Sequence, residues 1–381
     1  MSIKIGVLLP ASAIYPTINF DLVAGMRTAF EASGRADYEI RTENIGIGGN
    51  DKLIYGQCEK LLMEGVTIVT GYINPMTAEK LQPLFLNGNA ILVALDAGYH
   101  FRMNSEKLAN IFFLSLQGAL CSRIITRVAI NEGVQSFAFT SSYYETGYRS
   151  SFGFYKTIES GKAVITQHHF TLLNRSEFTL EPLRVGLQQY PTDGVFASFC
   201  GDMLEDFCLN ATGVFNTEKV YGSSFMGEEQ WLEKSAYPGT DIKVCIPWAS
   251  TINNKENQQV KDMLGKQNRK MNIFSLLGYE AGVVINAALG AENTDDRIKR
   301  LEGFSFDSPR GVVTLNADTH ECIAPVYESV IEKNEETGKC QLGALTKSEL
   351  TESERADQIK DISATDRQFT SWLNAYACLE S

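Results

Sequence analysis

Apolar and polar positions along the first hundred residues switch between two rhythms. The apolar run "IKIGVLLP" (3–10) gives way to "DLVAGMRTAFEASG" (21–34), whose apolar positions recur at helical spacing and which stops at Gly34. "YEIRTENI" (38–45) alternates as a strand does, and "DKLIYGQCEKLLMEG" (51–65) returns to the helical period. "VTIVTG" (66–71), "PMTAEKLQPLFLNG" (75–88) and "AILVALDAG" (90–98) continue as strand, helix and strand. This β-α-β-α order predicts a parallel sheet with helices on both faces.

The rhythm then restarts. "IFFLSLQ" (111–117) leads into a helix over "ALCSRIITRVAINEG" (119–133), the strand "VQSFAFTS" (134–141), a helix through "GYRSSFGFYKTIESG" (147–161) and the strand "AVITQHHF" (163–170). Helical "SEFTLEPLRVGLQQYP" and "GDMLEDFCLNATG" alternate with "DGVFASFC", "KVYGSSF" and "DIKVCIPWAS". A third segment holds "NQQVKDMLGKQNRK" and the long helix "IFSLLGYEAGVVINAALGAE" (273–292). The fold class expected is α/β, with two doubly wound parallel-sheet lobes in tandem or interleaved, and no Gly/Ser/Pro-rich linker between them. The polar stretch from Glu332 to Asp361 is expected to be flexible, with "RQFTSWLNAYAC" (367–378) as a closing helix.

Composition sharpens this picture. A chain of 381 residues exceeds one ordinary core, so two domains are expected, and 44% hydrophobic with 21% charged residues is a globular balance. A net charge of −12 and a pI near 5.0 argue against nucleic acid or an anionic membrane as partner. No apolar run spans a bilayer, so direct membrane insertion is not expected. Met1 leads straight into the first strand without a secretory leader, so either a leader has been removed or the chain stays in the cytoplasm. The eight cysteines are scattered, several in apolar surroundings such as "IKVCIPW" and "EDFCLN", and are expected to behave as small buried hydrophobes.

No catalytic signature stands out. "GSSFMG" at Gly222 has the wrong spacing for a nucleophile elbow, and "GIGGND" at Gly46 lacks the strand-to-helix context of a phosphate loop. His168 and His169 are adjacent on a strand and point to opposite faces, so no metal site and no cofactor are expected. What recurs instead is polar or aromatic residues where strands end, the place where open α/β sheets bind ligands. They are Tyr15; Asn74 with Thr77; Asp96 with Ala97 and Tyr99; Tyr144; Cys200 with Asp202; and Glu228 with Glu229. Each alone also serves as a cap or turn residue. Facing one cleft, the set suits a small-molecule pocket.

The order of "IKIGVLLPASAIYP", "KLLMEGVTIVTGYINPMTAEKLQPLF", "ILVALDAG", "SSYYETGYRSSFGFYKTIESG", "YGSSFMGEE", "FSLLGYEAGVVINAA" and "FSFDSPRGVVTLNADTHECIAPVY" resembles the Leu/Ile/Val-type solute-binding proteins of ABC importers, with the type I periplasmic-binding-protein fold. The resemblance covers the chain to about Tyr327. It implies two lobes, 1–117 with 251–324 and 118–250 with 325–381, joined by three crossings near "FFLSLQ", "CIPWAS" and "CIAPVY". It implies a hinge that closes on an amino-acid-like ligand, an ABC permease as partner, and residence outside the cytoplasm. Tyr144 and Tyr15 match aromatic ligand contacts, Glu229 (or Glu228, one position earlier) an acid that pairs with the ligand's amino group, and Tyr279 an aromatic at the head of a late helix.

Two departures bear on the ligand. Pro75 stands where the family's amino-acid binders carry a serine for the α-carboxylate, leaving the amides of Met76 and Thr77 at a capped helix start to meet an anion. Asp96 stands where a small or hydroxyl residue is usual, and its carboxylate would repel a bound one. A small amide or a cationic solute is therefore an alternative ligand. A cytoplasmic sensor of the same fold is an alternative role, and an enzyme using Glu228 or Asp202 as a general base is a more distant one.

Overall fold

The computed structural model describes residues 3–100, 102, 107–142, 147–172 and 174–348. They fall into two compact units. Among the described residues, the first comprises the chain up to Leu116 with Ile252–Pro325; the second comprises Gln117–Thr251 with 326–348. Within the described residues the chain passes between them three times, after Leu116, after Thr251 and after Pro325.

In the first unit, β1 (Ile3–Leu9), α1 (Ile18–Ala32), β2 (Tyr38–Asn44), α2 (Asp51–Met63), β3 (Ile68–Tyr72), α3 (Pro75–Asn87), β4 (Ile91–Asp96) and β5 (Ile111–Ser115) follow in order. They form a five-stranded parallel sheet ordered β2-β1-β3-β4-β5. Every residue of β3 and β4 is buried, as expected of central strands covered by helices on both faces.

The second unit continues with α4 (Gly118–Asn131), β6 (Ser136–Ser142), α5 (Gly147–Ser160), β7 (Val164–Thr171), α6 (Glu181–Gln189), β8 (Gly194–Ser198), α7 (Gly201–Asn210), β9 (Lys219–Gly222), α8 (Glu229–Leu232) and β10 (Ile242–Ile246). The chain returns to the first unit as α9 (Lys255–Lys266), α10 (Ile273–Ala288), α11 (Thr294–Leu301) and a small sheet of β11 (Ser305–Ser308), β12 (Gly311–Leu315) and β13 (Cys322–Ile323).

Helix α10 packs against α1 through glycines. A Cβ on Gly278 would lie 2.1 Å from the Leu22 carbonyl oxygen, and one on Gly25 would lie 2.0 Å from that of Ser275. Neither backbone can give way, so the helices approach only because both positions lack a side chain.

The chain ends its described course in the second unit as β14 (Val326–Lys333), β15 (Cys340–Leu342) and β16 (Thr346–Ser348). The parallel order β10-β9-β8-β6-β7 is thereby extended by antiparallel β14 along β10. This differs from the flexibility expected for the stretch after Glu332. Ile331 and Cys340 are buried anchors, and the Asn334 side chain accepts from the amides of Glu336 and Thr337 to close the turn between β14 and β15. The remainder of that stretch and the expected closing helix lie outside the described residues.

Candidate functional site

In the first unit, β3 and β4 pair up to Tyr72 and Leu95, and the Ile73 amide donates to the Leu95 carbonyl, so their carboxyl ends lie side by side. At the first of these ends Asn74 caps α3, its Oδ1 accepting from the Met76 amide at 2.9 Å, with Pro75 in the first turn. The local pair Asn74-Pro75 therefore does what its sequence predicts.

Thr77 turns its hydroxyl to Asp51 Oδ1 at 2.6 Å, and Lys80 bonds the other Asp51 oxygen. Partial burial pushes the Asp51 carboxyl up, but the hydrogen bonds from Lys80 and Thr77 outweigh it and leave the group below its ordinary value. At the end of β4, Asp96, Ala97 and Tyr99 are all buried, and Gly98 makes the turn with φ +76°. The Asp96 carbonyl accepts from the Leu116 amide.

Aromatic rings gather at the same end. Tyr15, in the loop after β1, meets Phe274 edge-on at 4.9 Å, and Phe274 meets Tyr72 at 5.7 Å. Phe274 is set by the first turn of α10, where Asn272 and Ser275 form a reciprocal cap and Asn272 also donates to Asp21. Tyr279 lies further along α10, 8% exposed, and burial raises its phenol, with Glu256 and Glu280 adding to the rise.

Next to Tyr279 in the chain, Glu280 belongs to an ion pair that no spacing along the chain points to. Arg310 donates from Nε and Nη2 to the two oxygens of Glu280, each at 2.7 Å, and both side chains are fully buried. Ser308 adds a hydrogen bond to Glu280 at 2.7 Å, and Arg310 Nη1 donates to the Ser115 carbonyl at the end of β5.

The second unit differs at the corresponding sheet end. Thr171, the last residue of β7, pairs with Ser142, the last of β6. Ser198, the last of β8, pairs with Ser141. Ser223 follows β9 and donates its amide to the Ala197 carbonyl, which places it beside Ser198. The hydroxyls of Thr171, Ser142, Ser198 and Ser223 are all buried, and none has a hydrogen-bond partner among the described residues. Sequence reading passed over these four, because a serine or threonine at a strand end looks like an ordinary turn residue.

Cys200, buried, sits at the N-cap of α7. Asp202, in the first turn of that helix, pairs with Arg175 at 3.5 Å on the surface.

The adjacent acids Glu228 and Glu229 behave oppositely. Glu229 accepts from both the amide and the hydroxyl of Ser250, at 2.9 and 2.8 Å. Glu228 is buried, uses Oε1 to accept from the Gln230 amide at 3.2 Å, and has no partner for Oε2. Burial pushes its carboxyl up to about 7; the neighbouring Glu229 adds to the rise, and the amides of Gln230 and Trp231 oppose it. Tyr144 lies outside the described residues.

A sequence profile described as periplasmic binding protein matches residues 2–336. The chain belongs to the periplasmic binding protein family. No curated protein matches it in sequence. Solved structures of solute- and substrate-binding proteins share its fold at low identity. A solute-binding protein of an ABC transporter from Rhodopseudomonas palustris BisB5, in complex with 3,4-dihydroxybenzoic acid, superposes with a TM-score of 0.74 at 15% identity, covering 93% of this chain and 99% of that one. An ABC transporter substrate-binding protein from Sphaerobacter thermophilus gives 0.78 at 14% identity, covering 91% and 98%. The leucine-, isoleucine-, valine-, threonine- and alanine-binding protein from Brucella ovis gives 0.72 at 13% identity, covering 91% and 95%.

In this periplasmic binding protein the candidate residues fall in both units. Tyr15, Asn74, Met76, Thr77, Asp96, Ala97, Tyr99 and Tyr279 lie in the first; Cys200, Glu228 and Glu229 lie in the second. Among the described residues no three His, Cys, Asp or Glu side chains are grouped to hold a metal, and no helix is long and apolar enough to cross a membrane.

Proposed function

We propose that this periplasmic binding protein captures a small organic acid for an ABC importer, and that Ser198 and Ser223 hold the ligand's carboxylate. The observation that carries this reading is the pair of neighbouring strand-end hydroxyls, both buried and both without a partner. A buried donor left unsatisfied is destabilising by about 1–3 kcal/mol, which a carboxylate accepting from both would offset. The related folds support the class: 3,4-dihydroxybenzoic acid and leucine differ in almost everything but the carboxyl group.

Amino acids and plain organic acids part at the ammonium. Glu229 already has its two oxygens held by Ser250, so Glu228 is the acid available to a cationic group. An ammonium beside Glu228 would favour its ionised form and expel a proton near neutral pH. A plain acid would not.

Titration calorimetry with benzoate, 4-hydroxybenzoate, leucine and a small amide, each in two buffers of different ionisation enthalpy, tests both parts. Binding of an acid that is weakened at least tenfold by Ser198→Ala and by Ser223→Ala supports the reading. Wild-type affinity in both variants, or binding of the amide alone, sinks it. Proton release on binding assigns the ligand to the amino-acid side.

A further inference from the structure

Helix α4 starts without the usual cap. Its N-cap residue, Gln117, takes the left-handed conformation with φ +55°, and its side chain caps none of the helix's amides. The first helical backbone bond runs from the Cys121 amide to the Gln117 carbonyl at 3.0 Å. Gly118, Ala119 and Leu120 precede it and are buried, and their amides make no backbone bond among the described residues. The donors of a helix start are satisfied by a cap, by water or by a ligand.

Contacts at both ends of α4 place that start. At its far end, Glu132 accepts from the Tyr221 hydroxyl at 2.9 Å and from Lys219 Nζ through its carbonyl at 3.0 Å, so the helix ends beside the beginning of β9. Near its start, Ser122 meets Ser150 of α5 with the two hydroxyls 2.6 Å apart, and α5 follows the carboxyl end of β6. Helix α4 therefore runs against the strands, with Gly118–Leu120 at their carboxyl ends.

Side-chain alternation brings Ser198 and Ser223 to the face that α4 covers. Phe196 and Tyr221 lie two residues before them and share one apolar cluster with Leu120 and Cys121 of α4. Ser198 and Ser223 are the next step along that face, 1% and 0% exposed, and their hydroxyls have no partner among the described residues.

We propose that the first turn of α4 completes the site of Ser198 and Ser223, its three leading amides donating to the same oxyanion, and that it makes the site select an organic anion over the matching neutral amide. This rests on the carboxylate reading of the two serines. A hydroxyl both donates and accepts, so the serines alone would hold a carboxylate or a carboxamide. Backbone amides only donate, and a helix start carries about half a positive charge. An ionised carboxylate meets both conditions. The NH2 of a carboxamide turns donors towards donors and brings no charge.

Titration calorimetry of the full-length protein with benzoate against benzamide, and with leucine against leucinamide, reads the selection. Amide spectra of protein labelled with nitrogen-15 at glycine, alanine and leucine read the donors. In at least one pair the acid is expected to bind about tenfold or more tighter than its amide. It should also move the Gly118, Ala119 and Leu120 amide protons downfield while that of Ala129, in the last turn, stays. In Ser223→Ala the acid should bind more weakly, with its preference over the amide and the three shifts retained. If the serine variants weaken the acid but the three amide protons do not move, or acid and amide bind equally, the inference falls and the role of the serines stands. Binding of neither acid overturns both.

Discussion

The two units share a doubly wound sheet but treat polar groups at the strand ends in opposite ways. In the first, Asn74 caps a helix, Thr77 bonds Asp51, and the buried ion pair Glu280–Arg310 has both carboxylate oxygens and three guanidinium nitrogens in use. In the second, Thr171, Ser142, Ser198 and Ser223 present buried hydroxyls without partners, and Glu228 leaves one oxygen unmatched. A folded domain normally satisfies such groups, so the imbalance marks the strand ends of the second unit as having hydrogen-bonding capacity left over. The first unit satisfies these strand-end groups internally, beside the rings of Tyr15, Tyr72 and Phe274.

The largest test of this contrast is the buried ion pair. Arg310→Met leaves Glu280 buried without its counter-charge, and a pair broken in this way is destabilising by about 3–5 kcal/mol. Urea unfolding of the ligand-free protein should show that loss in the first transition to involve the first unit. A change under about 1 kcal/mol would mean that the pair is not shielded from solvent and that the first unit is no more internally satisfied than the second.

Next in size is Glu228. Its carboxyl titrates at about 7 in the folded protein against an ordinary value of 4.5. Because the folded value is raised, the contribution is fully present below about pH 4.5, falls away as pH rises towards 7, and is absent above it. The shift corresponds to about 3 kcal/mol. Glu228→Gln, neutral at every pH, should remove this slope and be more stable than wild type at pH 8. Parallel stability curves for the two proteins from pH 5 to 8 would count against a buried, half-satisfied acid in the second unit.

Much of the frame was legible before any coordinates, and the reasons are local. The runs of β3 and β4 and the helical periods between them are set by burial on both sheet faces, which leaves a direct trace in apolar spacing. Asn74 and Pro75 are adjacent, so their cap could be read as well. Glu280 is a lone charge inside the apolar helix "FSLLGYEAGVV", which hints at a partner, but nothing in the spacing points to Arg310 thirty residues on. The β14–β15 hairpin was missed because its anchors Ile331 and Cys340 are diluted by a polar turn. Unpartnered serines leave no trace at all in a sequence, since whether a hydroxyl finds a partner depends on strands far apart in the chain. Glu229, singled out by resemblance, bonds Ser250, and that contact too is non-local.

At the candidate site the expected effects are smaller and fall on affinity. Ser198→Ala and Ser223→Ala should each weaken binding of a carboxylate ligand about tenfold, or about 1.4 kcal/mol, in a calorimetric titration. Tyr15→Leu keeps most of the apolar volume against Phe274 and should leave carboxylate affinity within threefold if the first unit contributes shape and not hydrogen bonds. A larger loss for Tyr15→Leu than for the serine variants would reverse the roles given to the two units.

The smallest effect is also the most direct comparison, because it sets two small truncations of strand-end polar residues side by side. Asn74→Ala removes a side chain that accepts from the Met76 amide. That amide loses its partner, and caps of this kind contribute about 1 kcal/mol, so the variant should unfold at lower denaturant. Ser223→Ala removes a hydroxyl that makes no hydrogen bond among the described residues. Here the folded state loses only a desolvated group, so the ligand-free variant should match wild type or gain up to about 1 kcal/mol. Asn74→Ala is therefore destabilised and Ser223→Ala is not. Denaturant midpoints at constant slope, measured without ligand, read the difference. If Ser223→Ala is destabilised as much as Asn74→Ala, its hydroxyl is already satisfied in solution, and the second unit loses the feature that sets it apart.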